Sequence, residues 1–325
     1  MRCLIDTCTD PYWNLAAEEY LLKAWNAPVF RLWRNAPAVI VGRNQNAHAE
    51  INRPYVEERG IAVVRRLTGG GAVFHDLGNV NFTFIDRVGS ERDSHDMFRR
   101  FTAPILDALK ELGVEARLEG RNDLTIDGAK FSGNAMCIEG DRVLQHGTLL
   151  FSASVEDISQ SLLPRPEKYA GRGVASVRSR VTNIASHLRK PMDVTAFIDF
   201  LAATVGREAV RWDYSAADRA AIDRLANEKY RTDAWNFGHS PAFSFNNIRK
   251  FPGGLLEVAL DIRGGKIHDI DIRGDYFFRK PTEEFCAALR GCPYTKDAVT
   301  ARLGAMTVDD YFCCVSGTEL LQLLF

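Results

Sequence analysis

Arg65-Arg66-Leu67-Thr68-Gly69-Gly70-Gly71-Ala72-Val73-Phe74-His75-Asp76-Leu77-Gly78-Asn79 decides how the chain is read. Before it, Ile61-Ala62-Val63-Val64 is a short apolar run with β-branched residues, the mark of a strand. After it, Asn81-Phe82-Thr83-Phe84-Ile85 alternates with period two and predicts another strand. Glycine admits positive φ and has no Cβ, so this run lets the backbone lie close to a ligand and aim N–H groups at it. Two guanidiniums beside such a loop suit phosphate, because each is a fixed fork of donors that stays charged. No Gly-Lys-Ser/Thr ends the loop, so it is not a Walker A. A strand follows rather than a helix, so it is not G-x-G-x-x-G opening a helix either. A glycine turn with solvated arginines is the alternative. Arg65-Arg66 on one side and His75-Asp76 on the other favour an anion site.

The chain has 325 residues, enough for one large domain or one large and one small. Its 41 Lys+Arg nearly balance 42 Asp+Glu, so no bulk field points to nucleic acid or an anionic membrane. No run of Lys/Arg interleaved with aromatics supplies a local nucleic-acid patch. Asp6 and Asp10 interrupt an N-terminus that lacks an apolar core, so no signal peptide is expected. No apolar stretch approaches the ~20 residues needed to span a bilayer. Seven cysteines occur, with irregular spacing and no Cys-x-x-Cys. That pattern argues against a disulfide framework or a zinc site and for reduced thiols in a cytoplasm.

Taken in order, Asn14 is placed to cap a helix running to about Asn26. Val29–Arg34 alternates as a strand, and the fully apolar Ala38–Val41 ends in the polar cluster Gly42-Arg43-Asn44-Gln45-Asn46. Ser94 opens a helix with Met97, Phe101, Ile105, Leu109 and Leu112 near one face. Pro104 should kink it, and Gly113 sits where an αL cap is expected. Asp127-Gly128 between alternating runs predicts a hairpin pairing Asn122–Ile126 with Ala129–Ile138. A third strand, Arg142–Ser152, follows Gly140-Asp141. Lys130, just past the turn, reads by itself as an edge-strand lysine. Ser154 with Asp157 forms a capping box for a helix to about Leu163.

Lys168–Asn183 is rich in Gly, Ser and Arg and reads as a mobile basic loop. Helices are expected at Val194–Val205 and Ala216–Tyr230. The texture changes at Trp235-Asn236-Phe237-Gly238 and Pro241. Beyond lie strands at Phe243–Phe251, Leu255–Ile262 and Lys266–Ile272, then helices at Thr282–Leu289, Lys296–Leu303 and Gly317–Leu324. The last helix carries a Ser316…Glu319 capping box. This is a compact α+β module of a size able to fold alone.

The Arg-Arg-x-Thr-Gly-Gly-Gly-Ala-Val-Phe-His-Asp-Leu-Gly-Asn stretch resembles the signature of the A-type lipoate–protein ligases. Arg121-Asn122-Asp123-Leu124, Lys130-x-Ser132-Gly133-x-Ala135 and His146-Gly147-Thr148-Leu149-Leu150 match the same family, in order and at similar spacing. So do the segment Ser176–Asn183 and Trp235-Asn236-Phe237-Gly238. Gly42-Arg43-x-Gln45-Asn46 is similar too, although Ala47-His48 replaces a frequent Pro-Trp. The resemblance spans nearly the whole chain. It implies an α+β (mixed α/β) fold, with a biotin/lipoate ligase-like catalytic domain over residues 1–240 and a small α+β accessory domain over 241–325.

It also implies an activity. Such ligases use ATP to convert lipoate to lipoyl-AMP and pass the lipoyl group to a lysine of an acceptor domain. The acceptors implied are the E2 subunits of 2-oxoacid dehydrogenase complexes and the glycine cleavage H protein. A carboxylate is already a nucleophile at neutral pH, so no side-chain nucleophile is needed. The enzyme must bring two anions together and stabilise charge on the phosphorus oxygens. Mg²⁺ is expected on the phosphates, with no metal held by a protein cage.

By resemblance, Arg66 and the backbone of Gly71, Ala72, Val73 and Phe74 contact the nucleotide, and Lys130 joins the lipoyl carbonyl to the α-phosphate. Asn79 and Asp123 fall on the ATP side, and Gly70, Ala135 and His146 on the lipoate side. Arg178 and Arg180 belong to a loop that closes over the adenylate. Taken alone, His146 reads more often as a hydrogen-bonded structural histidine.

Two rivals remain. One is an octanoyl- or lipoyl-transferase of the same fold, working through a cysteine thioester. The ligase-like transferases place that cysteine upstream of the lysine, where this chain reads Leu118-Glu119-Gly120-Arg121-Asn122-Asp123. The other is a catalytically silent lipoate-binding protein. Intact Arg66, glycine loop and Lys130 argue against it. Because an acyl adenylate needs no thioester, Cys137→Ser should leave ATP-dependent ligation largely intact. A folded Cys137→Ser protein without activity would revive the transferase.

Overall fold

The computed structural model describes residues 1–45, 47–89, 94–163, 181–237, 245–263 and 265–325. Among them are fourteen strands: β1 (Arg2–Ile5), β2 (Val29–Trp33), β3 (Ala38–Val41), β4 (Ala62–Arg65), β5 (Val73–His75), β6 (Asn79–Arg87), β7 (Arg117–Glu119), β8 (Asp123–Ile126), β9 (Ala129–Glu139), β10 (Arg142–Leu150), β11 (Val210–Arg211), β12 (Phe245–Phe251), β13 (Gly254–Arg263) and β14 (Lys266–Gly274). Eight form a mixed sheet in the order β11-β1-β2-β6-β10-β9-β8-β7. Its β11–β1 and β1–β2 pairs are parallel and the rest antiparallel.

A small sheet, β4-β3-β5, stands apart, with β3 parallel to β4 and antiparallel to β5. The glycine loop therefore joins the two outer strands of this sheet. The expected strand Asn81–Ile85 lies within β6, and the short β5 precedes it. Three residues are too few to show an alternation, so sequence periodicity missed it.

The centre of the large sheet is buried on both faces, which is why all five residues of β2 are buried. Period two sends Phe30 and Leu32 to one face, against the helix Ser94–Glu111 and the helix Val194–Thr204. Val29 and Trp33 go to the other, beneath the helix Pro11–Ala24 and its cover of Ile222 and Tyr230. Pro104 sits inside the helix Ser94–Glu111 without ending it.

The N-terminal helix starts four residues earlier than Asn14 suggested, capped by Asp10, whose carboxylate accepts from the Tyr12 N–H, with Pro11 at the first helical position. Asn14 is fully buried instead. Its amide donates to Cys8 O, Arg34 O and Asn35 Oδ1 and accepts from Arg31, which also pairs with Asp6. A cap-type residue went to a better-paid bonding site inside the core.

The Asp127-Gly128 turn has φ of 50° and 77°, the doubly positive pair that a tight hairpin demands. It sets β8 against β9, with a register shift between Leu124 and Thr125. Lys130 is not on an edge strand: β9 lies between β10 and β8. At Lys130, however, β9 has run past the end of β10, and its free side pairs with Val181 and with the Thr182 N–H. The lysine thus emerges at an internal rim of the sheet.

The third sheet, β12-β13-β14, packs with the helices Thr282–Leu289, Lys296–Gly304 and Gly317–Leu324 around its own core. This small α+β module docks firmly on the large part. Phe277 and Cys313 of the module belong to the core layer of Phe98. Arg121 reaches into the module, donating to Gly253 O and Asp275 O while its guanidinium lies over the Phe277 ring. No helix among the described residues is long and apolar enough to cross a membrane. Arg121→Ala should weaken docking by roughly 2 kcal/mol, the scale of hydrogen bonds from a charged donor. Hydrogen exchange should then show faster exchange in the 274–277 segment with the large sheet's core unchanged; uniform protection would refute the anchoring role.

Candidate active site

Arg66 follows β4 and is 5% exposed. Its Nε donates to Thr68 Oγ1 at 2.9 Å, one Nη to Ile40 O at 3.1 Å, and the other to Gly69 O at 2.6 Å and Gly71 O at 2.9 Å. It has no carboxylate ion-pair partner among the described residues. Burial, with Arg65 adding to it and Glu18 opposing, draws its pKa down to about 10, so it stays a cation at neutral pH. The loop folds back on this guanidinium, and Gly70 between the two bonded carbonyls takes φ +89°, which side chains rarely adopt. On the module side, a Cβ at Gly69 would strike the Tyr276 carbonyl, while Gly70 N–H bonds that same oxygen at 3.3 Å. Arg65 faces elsewhere, bonded to the carbonyls of Gly42, Arg43, Gln45, Trp235 and Asn236.

The loop, β5, β6, β9 and β10 enclose a cavity of about 130 Å³. Arg66, Gly70, Gly71, Ala72, Val73, Lys130, Ala135 and His146 all line it, so most of the residues singled out in the sequence converge. Phe74 does not. Alternation along β5 sends Val73 and His75 inward and Phe74 into the opposite cluster with Val39 and Val63. Asn79 stands one step behind the wall, donating to Asn81 Oδ1 at 2.9 Å, and Asn81 reaches the cavity in its place. Arg178 and Arg180 lie outside the described residues.

Lys130 Nζ sits 2.7 Å from Asp123 Oδ1, each side chain 40% exposed. The ammonium lies over Gly133, whose missing Cβ would otherwise come within 3.1 Å of it. An ion pair this exposed adds about 0–1 kcal/mol to stability, so Asp123 orients the lysine more than it stabilises the fold.

Two hydrogen-bond chains reach the cavity, and neither was visible in the sequence. In one, Glu18 accepts from Thr83 at 2.5 Å and meets His146 Nδ1 at 2.9 Å; His146 Nε2 meets Thr68 Oγ1 at 2.8 Å, and Thr68 holds Arg66. Burial works against ionisation of Glu18, but His146, Arg31 and the Thr83 hydroxyl outweigh it and hold the carboxyl below its ordinary range. Both His146 nitrogens are taken, so a ligand meets only its ring.

In the other chain, Asn14 donates to Asn35 Oδ1, leaving the Asn35 amide nitrogen to face His75 Nδ1 at 3.1 Å. Burial first, then the His146 and Arg66 charges, push His75 down to about 3, so its ring is neutral. With Nδ1 accepting, the proton is on Nε2, which is buried at the cavity wall without a partner. Asn81 Nδ2 and Asn134 Oδ1 are likewise unpartnered there. Leu15, Trp33, Ile40 and Val73 supply an apolar side.

The arrangement offers a cationic rim for an anion, unpaired polar atoms for orientation, and a greasy wall for a hydrocarbon chain. It contains no cysteine. Cys137 is buried off the cavity, and burial pushes its thiol up.

A family model described as the lipoyl protein ligase A/B catalytic domain matches residues 10–206, and one described as the bacterial lipoate protein ligase C-terminus matches residues 240–324. Lipoate–protein ligase 1 of Staphylococcus aureus is 38% identical over 322 residues, covering 97% of each chain. The solved Plasmodium falciparum LipL1 in complex with lipoate aligns with a TM-score of 0.76 at 25% identity, covering 94% of this chain and 95% of its own. A lipoate–protein ligase A bound with ATP aligns at 0.64 and 26% identity, over 73% of this chain and 98% of its own. The chain belongs to the lipoate–protein ligase family, with both its catalytic domain and its C-terminal domain.

Proposed function

We propose that the chain is an ATP-dependent lipoate–protein ligase whose chemistry runs between Lys130 and the Arg66 loop. One observation carries this reading: a buried guanidinium with no carboxylate partner among the described residues and an ammonium line one cavity that also has an apolar side and no cysteine. A thioester mechanism lacks its nucleophile there, which separates the ligase from the transferase.

In the first step an oxygen of the lipoate carboxylate bonds to the α-phosphorus of ATP. The bond from phosphorus to the bridging oxygen breaks, and pyrophosphate leaves. Lys130 exchanges its partner Asp123 for the carboxylate and α-phosphate oxygens, offsetting the charge of two anions brought together. The Arg66 loop lends its positive potential from behind, and the hydrocarbon chain lies along Trp33, Ile40 and Leu15. In the second step the acceptor lysine amine bonds to the acyl carbon, the bond to the AMP oxygen breaks, and the amine gives up a proton. Lys130 also stands where the acyl oxygen gathers charge.

Mg²⁺ is proposed as a companion of the phosphates. Among the described residues no group of three or more His, Cys, Asp or Glu is placed to hold a metal. Asp123 at the rim fits a cation bound through one carboxylate and substrate phosphates, where it would neutralise phosphate charge. Lipoyl domains of 2-oxoacid dehydrogenase E2 subunits and the glycine cleavage H protein are the proposed acceptors, in the cytoplasm. Residues 1–240 and 241–325 are the proposed catalytic and accessory domains.

Lys130→Met keeps the stem and removes the charge, so the fold should survive. Lipoyl-AMP formation from ATP and lipoate should slow by roughly 10²–10³, the scale of losing one oxyanion donor. Lys130→Arg should rescue poorly, because a planar fork does not replace a compact ammonium. A stable Lys130→Met protein forming lipoyl-AMP at the wild-type rate would overturn the mechanism.

A further inference from the structure

A second cleft, of about 210 Å³, opens between the turn that follows β3 and the accessory module. Arg43 and Arg65 face it from the catalytic side, Arg273 and Arg290 from β14 and the end of the helix Thr282–Leu289. Against these four arginines stand Glu283 paired with Arg43, Asp271 paired with Arg273 and Asp269 paired with Arg290, leaving a surplus of one positive charge. Among the described residues Arg290 bonds through its Nε alone, to Asp269 at 2.8 Å. Arg43 gives one Nη2 bond to Glu283 at 3.3 Å. Arg65 is bonded to backbone carbonyls and has no carboxylate ion-pair partner among the described residues.

The cleft also holds orphaned donors. Gln45 is 2% exposed, and its Oε1 accepts from the Gly42 N–H at 2.9 Å. That bond fixes which end of the amide is nitrogen, and Nε2 is left buried without a partner. Asn44 Nδ2 is also buried and unpartnered. Two adjacent buried amide donors without acceptors are costly unless a ligand supplies the acceptors. A carboxylate presents two oxygens in one plane, whereas here Asn44, Gln45, Arg43 and Arg65 face the cleft from the catalytic side and Arg273 and Arg290 from the module. A tetrahedral oxyanion matches that spread, and guanidiniums are its usual partners.

We propose that this junction binds a phosphate-class oxyanion, either inorganic phosphate or pyrophosphate, that clamps the accessory module to the catalytic domain. The inference concerns the junction and not the catalytic cavity, so it does not rest on the ligase reading. Two amides cross the same junction, Gly274 N–H to Asn44 O at 2.8 Å and Gly70 N–H to Tyr276 O at 3.3 Å. A bridging anion holds both closed, and with them the contact between module and glycine loop.

The test titrates the full chain with sodium phosphate and, separately, sodium pyrophosphate, by calorimetry at ionic strength matched with chloride. Gln45→Glu keeps the acceptor for the Gly42 N–H and replaces the orphan donor with a charge that repels the anion. Arg290→Gln removes a cation from the module side at a half-exposed position, so it stays informative if the first variant folds poorly. Each should weaken binding roughly 10–100-fold, as for loss of a hydrogen bond to a charged group. Hydrogen exchange at Gly70 and Gly274 should slow when the anion is added to the wild type and not when it is added to either variant. Tighter binding of pyrophosphate would identify the ligand as a diphosphate, and tighter binding of phosphate as the free monoanion or dianion. No saturable binding of either anion to the wild type, or equal binding by wild type and both variants, would overturn the proposal.

Discussion

A guanidinium buried with no carboxylate partner among the described residues organises the catalytic half. Taking an ion out of water costs several kcal/mol unless hydrogen bonds replace the lost hydration. Arg66 obtains that replacement from the carbonyls of Ile40, Gly69 and Gly71 and from Thr68. The loop can turn those carbonyls inward only by passing through positive φ at Gly70. The glycines thus serve the arginine first, and the charge of the arginine, left unneutralised, serves the ligand. Lys130 completes the pattern from the opposite rim with a partner exposed enough to let go.

The surrounding framework fixes orientation more than energy. The Glu18–His146–Thr68 chain sets the angle of Arg66, and the Asn14–Asn35 chain sets which His75 nitrogen carries the proton. The accessory module touches both charged arms of the site. Tyr276 meets the glycine loop, while Arg121 grips Gly253 and Asp275 only two residues from Asp123, the partner of Lys130. Movement of the module therefore reaches both cations through short, stiff segments.

What was legible in the sequence was local or tied to strong motifs. The hairpin at Asp127-Gly128, the Ser154 and Ser316 caps, and the strands and helices of the module depend on neighbours a few residues away. From the motifs Lys130-x-Ser132-Gly133-x-Ala135 and His146-Gly147-Thr148, all named residues but Ser132 line one cavity. What failed depended on distant partners. Asn14 looked like a cap because its real partners, Arg31 and Asn35, lie 17 and 21 residues away. Lys130 looked like an edge lysine because β10 ends before it and the pairing on that side comes from Val181 and Thr182, distant in the chain. Glu18 sits 128 residues from His146, and no single-sequence pattern links them. His75 flanks the loop in the sequence, yet its unpartnered nitrogen is a product of folding.

The central claim is that this cavity joins a carboxylate to the α-phosphate of ATP through a free acyl adenylate, with no covalent enzyme intermediate. Exchange of radiolabelled pyrophosphate into ATP, measured without any acceptor domain, tests it most directly. The account predicts rapid exchange that requires lipoate and is unaffected by thiol alkylation under native conditions. No exchange with lipoate present, together with acyl transfer from a thioester donor, would contradict it.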